Sequence, residues 1–186
     1  MLFLRRPDER TLERVLDEEQ EQPLTYREIG NAPRGFRRDE YRRALGAGDA
    51  AFARAGEGLR RWEPHRHAGV ALTPACPDLR AGTTLLVRLR IGPVHVVGGC
   101  RVLHVIDERD RFGFVYATLP THPEVGEERF VVERAGDRVT FRVLALSRSR
   151  DPVVRAAAPV ARLVQRQTTA RYLEGLERYV HSGSRS

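Results

Sequence analysis

The sequence predicts an α+β fold, a curved antiparallel sheet of about seven strands closed by a long C-terminal helix. Two stretches carry that prediction. The first runs from Asp151 to Val180, DPVVRAAAPVARLVQRQTTARYLEGLERYV, the only long helical pattern with both a start signal and a continuous apolar side. Asp151 is suited to cap the first turn by accepting from its free N–H groups, and Pro152 follows where no donor is lost. Val153, Ala157, Val160, Ala161, Val164, Thr168, Tyr172, Leu176 and Tyr179 share one side at helical spacing, with Arg155, Arg162, Arg166 and Glu177 opposite. Pro159 kinks this helix or marks its true start. The second stretch, from about Thr83 to Ser147, alternates apolar and polar residues between turn signals and supplies the surface on which such a helix must lie.

The remaining elements follow from local signals. Residues 7–21 form an amphipathic helix, started by Pro7 and Asp8, with Leu12, Val15 and Leu16 as its narrow apolar stripe and a solvated acidic half, DEEQEQ. Leu24 to Gly30 alternates like a strand, and NAPRG is a turn. Phe36 to Trp62 carries Tyr41, Leu45, Phe52, Ala55, Leu59 and Trp62 at spacings that suit two short helices broken near Gly46–Asp49. A weak strand, His67–Thr73, precedes Thr83–Ile91 and Val94–Ile106, where Gly98-Gly99 signals a bulge or strong bend. Phe112–Leu119, Glu127–Arg134 and Arg138–Ser147 complete the sheet, with Pro120–Gly126 as a loop. The order is β–αα–β6–α. It divides into an N-terminal helix (1–22), a main domain (23–181) and a disordered tail (182–186).

Composition narrows the function. The chain has 186 residues, 41% hydrophobic and 31% charged, as expected of a soluble globular domain. No apolar run reaches the length of a membrane span. MLFLRR has its basic residues on the wrong side for a signal peptide. Two cysteines, Cys76 and Cys100, make no disulfide framework, so a cytoplasmic location is expected. The net charge is +7, and all 32 basic residues are arginine, scattered among 25 acids. Nucleic-acid binding is therefore not expected, because a binder clusters its basic residues with aromatics. His65, His67 and Cys76 match no zinc spacing, and no glycine-rich phosphate loop or nucleophile elbow occurs, so neither a metal nor another cofactor is expected.

Several segments carry a resemblance. Tyr26-Arg27-Glu28-Ile29-Gly30, LRRW at Leu59–Trp62, Ser147-Arg148, the run Pro159–Tyr172 and above all FGFVYATLPTHPEVGEERF at Phe112–Phe130 resemble an uncharacterised family of bacteria and plants. The most specific part is the TLPxHPExGEExF signature, Thr118–Phe130. The element order resembles the helix-grip fold of the START and birch-pollen-allergen-like (SRPBCC) superfamily. That resemblance implies a space between sheet and helix that often holds an apolar ligand, and it implies no particular reaction.

On alternation, the strand faces turned to the helix carry Leu85, Val87, Leu89, Cys100, Val102, His104, Phe112, Phe114, Tyr116, Thr118, Phe130, Val132, Phe141, Val143 and Ser147. Such a lining either fills the core or leaves a pocket for a largely apolar molecule. The candidate ligand-binding residues are Tyr26, Trp62, His104, Phe114, Tyr116, Thr118, His122, Glu128, Phe141, Ser147 and Arg148. Tyr116 and Thr118 are suited to hold a ligand carbonyl, or are satisfied by backbone. Glu128 points inward with Phe130. Against an apolar wall it would act as a general base, though an ion pair with Arg148 is the preferred reading. His104 is an acid–base candidate or a core residue. His122 stands at the pocket mouth or in a locked proline-rich turn.

The leading expectation is a protein that binds a small apolar or amphipathic ligand. The alternatives are a cyclase, dehydratase or isomerase using Tyr116, Glu128 and His104 in the same cavity, and an interaction module without a ligand. Oligomeric state is not legible.

Overall fold

In a computed structural model of the chain, the described residues are 1–26, 34–149 and 158–182. The elements are β1 (Leu2–Phe3), α1 (Glu9–Gln20), β2 (Arg37–Ala47), α2 (Gly48–Arg60), α3 (Glu63–His67), β3 (Ala71–Thr73), β4 (Thr84–Ile91), β5 (Val94–Glu108), β6 (Arg111–Thr118), β7 (Glu124–Ala135), β8 (Arg138–Ser149) and α4 (Ala158–Ser182). Every pairing is antiparallel, and the strands lie in the order β2-β8-β7-β6-β5-β4-β3, with β1 added against β5. From β2 onward the order is β–αα–β6–α. The fold is the helix-grip kind: α2, α3 and α4 pack on one another and on the inner face of the sheet.

The first strand of that order is not the expected one. Residues 24–26 are not in a strand, and 27–33 lie outside the described residues. The strand is instead Arg37–Ala47, inside a segment whose spacing suggested a helix. Tyr41 and Leu45 are four residues apart, a separation that fits a helical period and a two-residue period equally. The charges decide for the strand. Arg38, Glu40 and Arg42 lie along its outer side, and Glu40 bonds both arginines at 3.0 and 2.6 Å. Arg37, Asp39, Tyr41 and Arg43 take the other parity and turn toward α4, where Arg43 meets Glu177 at 2.7 Å. A bulge between Ala44 and Gly46 ends the strand, and Gly46 (φ +130°) and Gly48 (φ +79°) take backbone angles that favour glycine.

Helix α4 is described from Ala158, beside Pro159; the proposed cap at Asp151 lies outside the described residues, as do tail residues 183–186. Its buried stripe is Thr169, Tyr172, Leu173, Leu176 and Val180. Two glycines allow close helix contact. A methyl on Gly58 of α2 would lie 2.6 Å from Leu176, and one on Gly175 would lie 2.4 Å from His67 of α3.

On the outer face α1 covers β4 and β5 through Leu12, Val15, Leu86 and Val97. Arg101 holds the end of that helix by donating to the carbonyls of Glu19, Gln20 and Gln22 at 2.8, 2.8 and 3.0 Å. Glu19, expected in solvent, is buried and accepts from the Thr121 N–H at 2.9 Å. The pair Gly98-Gly99 explains how. The β4–β5 register runs through it unbroken, so it is not a bulge. Added methyls would strike His122 at 2.2 Å on one face and the Glu19 carboxylate at 2.6 Å on the other. The two glycines make room for those side chains.

Candidate functional site

The inner face has an aromatic half and a polar half. Phe114 and Phe130 stack with centroids 5.0 Å apart and planes 9° apart. Trp62 packs on Phe114 at 4.8 Å, Phe141 lies 6.3 Å from Phe130, and Tyr172 of α4 meets Phe130 edge-on at 5.3 Å. Trp62, Phe114, Phe130 and Phe141 are fully buried. Trp62 is left-handed (φ 57°, ψ 29°), an unusual conformation for a bulky residue. It is held there by this packing and by its indole N–H donating to the Pro77 carbonyl at 2.9 Å. The turn it makes between α2 and α3 swings His65 into the core.

His65 is the buried group that sequence reasoning set aside. It is completely buried, with Phe130 and Tyr172 rings at 4.9 and 4.8 Å, and its Nε2 lies 3.4 Å from the Tyr116 hydroxyl. Burial lowers its pKa to about 3, so the ring is neutral. Its Nδ1 is buried with no hydrogen-bond partner among the described residues.

Tyr116 and Glu128 sit directly opposite each other on β6 and β7. The Tyr116 hydroxyl donates to Glu128 Oε2 at 2.6 Å. Burial raises the Glu128 carboxyl to about 7, against the lowering effect of that bond. Burial also raises the Tyr116 and Tyr172 hydroxyls and the Cys100 thiol, and the Glu128 charge adds to each shift. The cluster His65–Tyr116–Glu128, with Tyr172 and Cys100 beside it, is therefore a set of neutral donors and acceptors around one carboxyl that changes charge near neutral pH. Chemically, such a set can hold the polar end of a molecule or move a proton at it.

On the β8 side of Glu128 the sheet carries small side chains, Ala145 and Ser147. The row through it reads Asp39, Ala145, Glu128, Tyr116, and the row beside it Arg37, Ser147, Gly126. The next rows are Val143–Phe130–Phe114 and Phe141–Val132–Phe112. Phe130 and Val132 are fully buried, yet Glu128 on the same face keeps partial solvent exposure.

The other candidate residues fall in different places. His104 is exposed. A bulge between Val102 and His104 inserts Leu103, reverses parity, and puts Val105 opposite Phe114. Arg148 is exposed as well, with its guanidinium 5.3 Å from the Phe36 ring centroid, and among the described residues no ion pair joins it to Glu128. Ser147 faces inward and donates to Glu124, whose carboxyl is raised by burial. The Thr118 hydroxyl is committed to structure, bonding the Gly126 N–H at 3.0 Å and the Thr25 hydroxyl at 2.6 Å. His122 Nδ1 accepts from the Glu124 N–H at 3.1 Å, and burial lowers its pKa to about 4. Tyr26 is buried against Phe36 at 5.0 Å. Among the described residues no group of three or more His, Cys, Asp and Glu side chains is placed to hold a metal ion. Among the described residues no helix is long and apolar enough to cross a membrane.

The curved antiparallel sheet and the gripped C-terminal helix define a protein of helix-grip fold. Among solved structures the chain is similar to a hypothetical protein of Helicobacter pylori (TM-score 0.54, 12% identity, 85% of this chain and 96% of that one). It is also similar to Ara h 8.0201 (TM-score 0.53, 12% identity, 80% and 99%). At such identities the likeness is one of fold. The particular family is shown by sequence: the chain belongs to the family described as Domain of unknown function (DUF1990), which matches residues 20–175. It is 34% identical over 198 residues to the UPF0548 protein of Deinococcus radiodurans, covering 96% of this chain and 98% of that one.

Proposed function

We propose that this protein binds a small amphipathic molecule between the curved sheet and α4, its polar end at Glu128 and Tyr116 and its apolar part against the aromatic half. The observation that carries the reading is the partial exposure of Glu128 beside the small inward residues Ala145 and Ser147, next to rows that are wholly buried. A carboxyl set against an apolar wall costs stability unless something is gained, and a site that must meet a polar group supplies that gain. The unpartnered Nδ1 of His65 supports the same reading, since buried polar atoms ordinarily have partners. A cytoplasmic setting belongs to the proposal, supported by the two free thiols. Native mass spectrometry of the purified protein, followed by solvent extraction, tests it. A co-purifying small molecule released on unfolding is expected. Unliganded mass from every preparation, with no uptake of added amphiphiles, would overturn it.

One observation favours a second reading, acid–base catalysis. Glu128 is poised near pH 7 and bonded to a hydroxyl donor, the pairing needed to take a proton from carbon while the carbonyl oxygen is held. Exchange of solvent deuterium into a carbonyl ligand, lost in Glu128→Gln, is the expected result. Retention of exchange in that variant would exclude Glu128 as the base.

A further inference from the structure

The seam between β2 and α4 contains a groove of about 110 Å³ lined by Arg37, Asp39, Tyr41, Arg162, Gln165 and Arg166. Its charge is unbalanced. Arg37 is bonded to Asp39 and to the Gln165 side chain. Arg162 and Arg166, one turn apart on α4, have no carboxylate partner among the described residues, and both are exposed. Among the described residues that line it, three guanidinium groups stand with one carboxylate, and Glu124 lies near enough to Arg37 and Asp39 to feel both charges. Arg42 and Arg178, by contrast, are paired with Glu40 and Glu174. Two like charges a turn apart repel each other, and guanidinium groups are suited to grip carboxylate or phosphate through two parallel bonds.

The groove shares the sheet face of the polar cluster, since its Asp39 lies in the row of Ala145 and Glu128. On α4 the inward positions descend from Gln165 through Thr169, whose hydroxyl donates to the Gln165 carbonyl at 3.0 Å, to Tyr172 in the polar cluster. Seven residues of helix span roughly 10 Å. On the sheet, Arg37 pairs with Ser147, and Ser147 with Gly126, two residues from Glu128. Two residues of strand span roughly 7 Å. We propose that Arg37, Arg162 and Arg166 form an anion subsite that takes the carboxylate or phosphate group of the amphipathic ligand at the β2–α4 seam. The inference rests on the proposed interior site and narrows its occupant to an anion whose charge lies roughly 12 Å from Glu128, two strand spacings across the sheet and two residues along it.

Two dyes that differ by one charged group test it: 1-anilinonaphthalene-8-sulfonate and the neutral N-phenyl-1-naphthylamine. Binding of each is followed by fluorescence in the wild-type chain, in R162Q/R166Q, and in R90Q/R109Q, which removes two exposed arginines remote from the groove. The groove substitutions are expected to weaken the sulfonate dye about tenfold, the worth of two partly screened ion pairs. The neutral dye should change less than about twofold and the control variant should behave as wild type. Dodecanoate and dodecyl phosphate, each below its micelle concentration, should displace the sulfonate dye, and the stronger competitor identifies the head group. Equal weakening of both dyes, equal weakening in the control, or no weakening would overturn the subsite. Sulfonate binding that needs Arg162 and Arg166, with no binding of the neutral dye, would keep the subsite and overturn the apolar site; failure of both dyes would overturn both.

Discussion

Replacing Glu128 by glutamine should stabilise the protein above neutral pH. Glutamine keeps the shape and an acceptor oxygen for the Tyr116 hydroxyl, so the change isolates the charge. The carboxyl is raised from 4.5 to about 7. Because the folded value is the higher one, the folded protein holds the proton between those limits while the unfolded chain has lost it. Stability therefore declines as pH rises from about 4.5 to about 7 and levels off above. Each pKa unit is worth about 1.4 kcal/mol, which gives roughly 3 kcal/mol as an upper value, reduced to about 2 kcal/mol for a side chain with some solvent contact. Urea unfolding of wild type and E128Q at pH 5, 6, 7 and 8 measures it. The variant's advantage should be small at pH 5 and reach its full value by pH 8. A pH-independent difference, or a variant less stable than wild type at pH 8, would refute the reasoning.

Three further outcomes follow from neighbouring geometry. His65 has the opposite sign: with its pKa lowered to about 3, stability is lost as pH falls below the ordinary 6.5, so His65→Phe should flatten the acid side of the profile by about 1.4 kcal/mol per pH unit. An unchanged acid slope would show that the imidazole is not held neutral. Gly98→Ala puts a methyl 2.2 Å from the His122 ring, should cost about 1–3 kcal/mol, and should move His122 back toward its ordinary titration, visible by proton NMR of the imidazole. A wild-type His122 titration in that variant would contradict the packing described. Arg101→Ala removes three bonds to the end of α1, so a loss of about 1–2 kcal/mol and faster proteolysis within residues 9–20 are expected. Unchanged proteolysis would mean that Leu12 and Val15 alone hold the helix.

Much of this architecture was legible in the pattern of residues. Alternation placed Phe114, Tyr116, Glu128, Phe130 and Phe141 on one face, and the structure has them there. What alternation misses is the irregularity that no single residue announces. Leu103 is an ordinary residue, yet as the bulge residue it sends His104 to solvent. The visible signal, Gly98-Gly99, marked a different physical event, the close approach of His122 and Glu19. His65 was missed because α3 has five residues, too short to show a period, and because its inward turn depends on the left-handed backbone at Trp62. Arg37, Asp39 and Tyr41 were hidden by a spacing that helix and strand share. The Tyr116–Glu128 bond was half visible: the parity of each residue was clear, but cross-strand register depends on where each hairpin turns.

The central claim is that the interior around Glu128 is open to an amphipathic molecule. Titration of isotope-labelled protein with N-phenyl-1-naphthylamine, followed by NMR, tests it most directly. Saturable shifts centred on Tyr116, Glu128, Ala145, Ser147 and Tyr172 are the predicted result. Shifts confined to α1 and the outer face, or none at all, would contradict it.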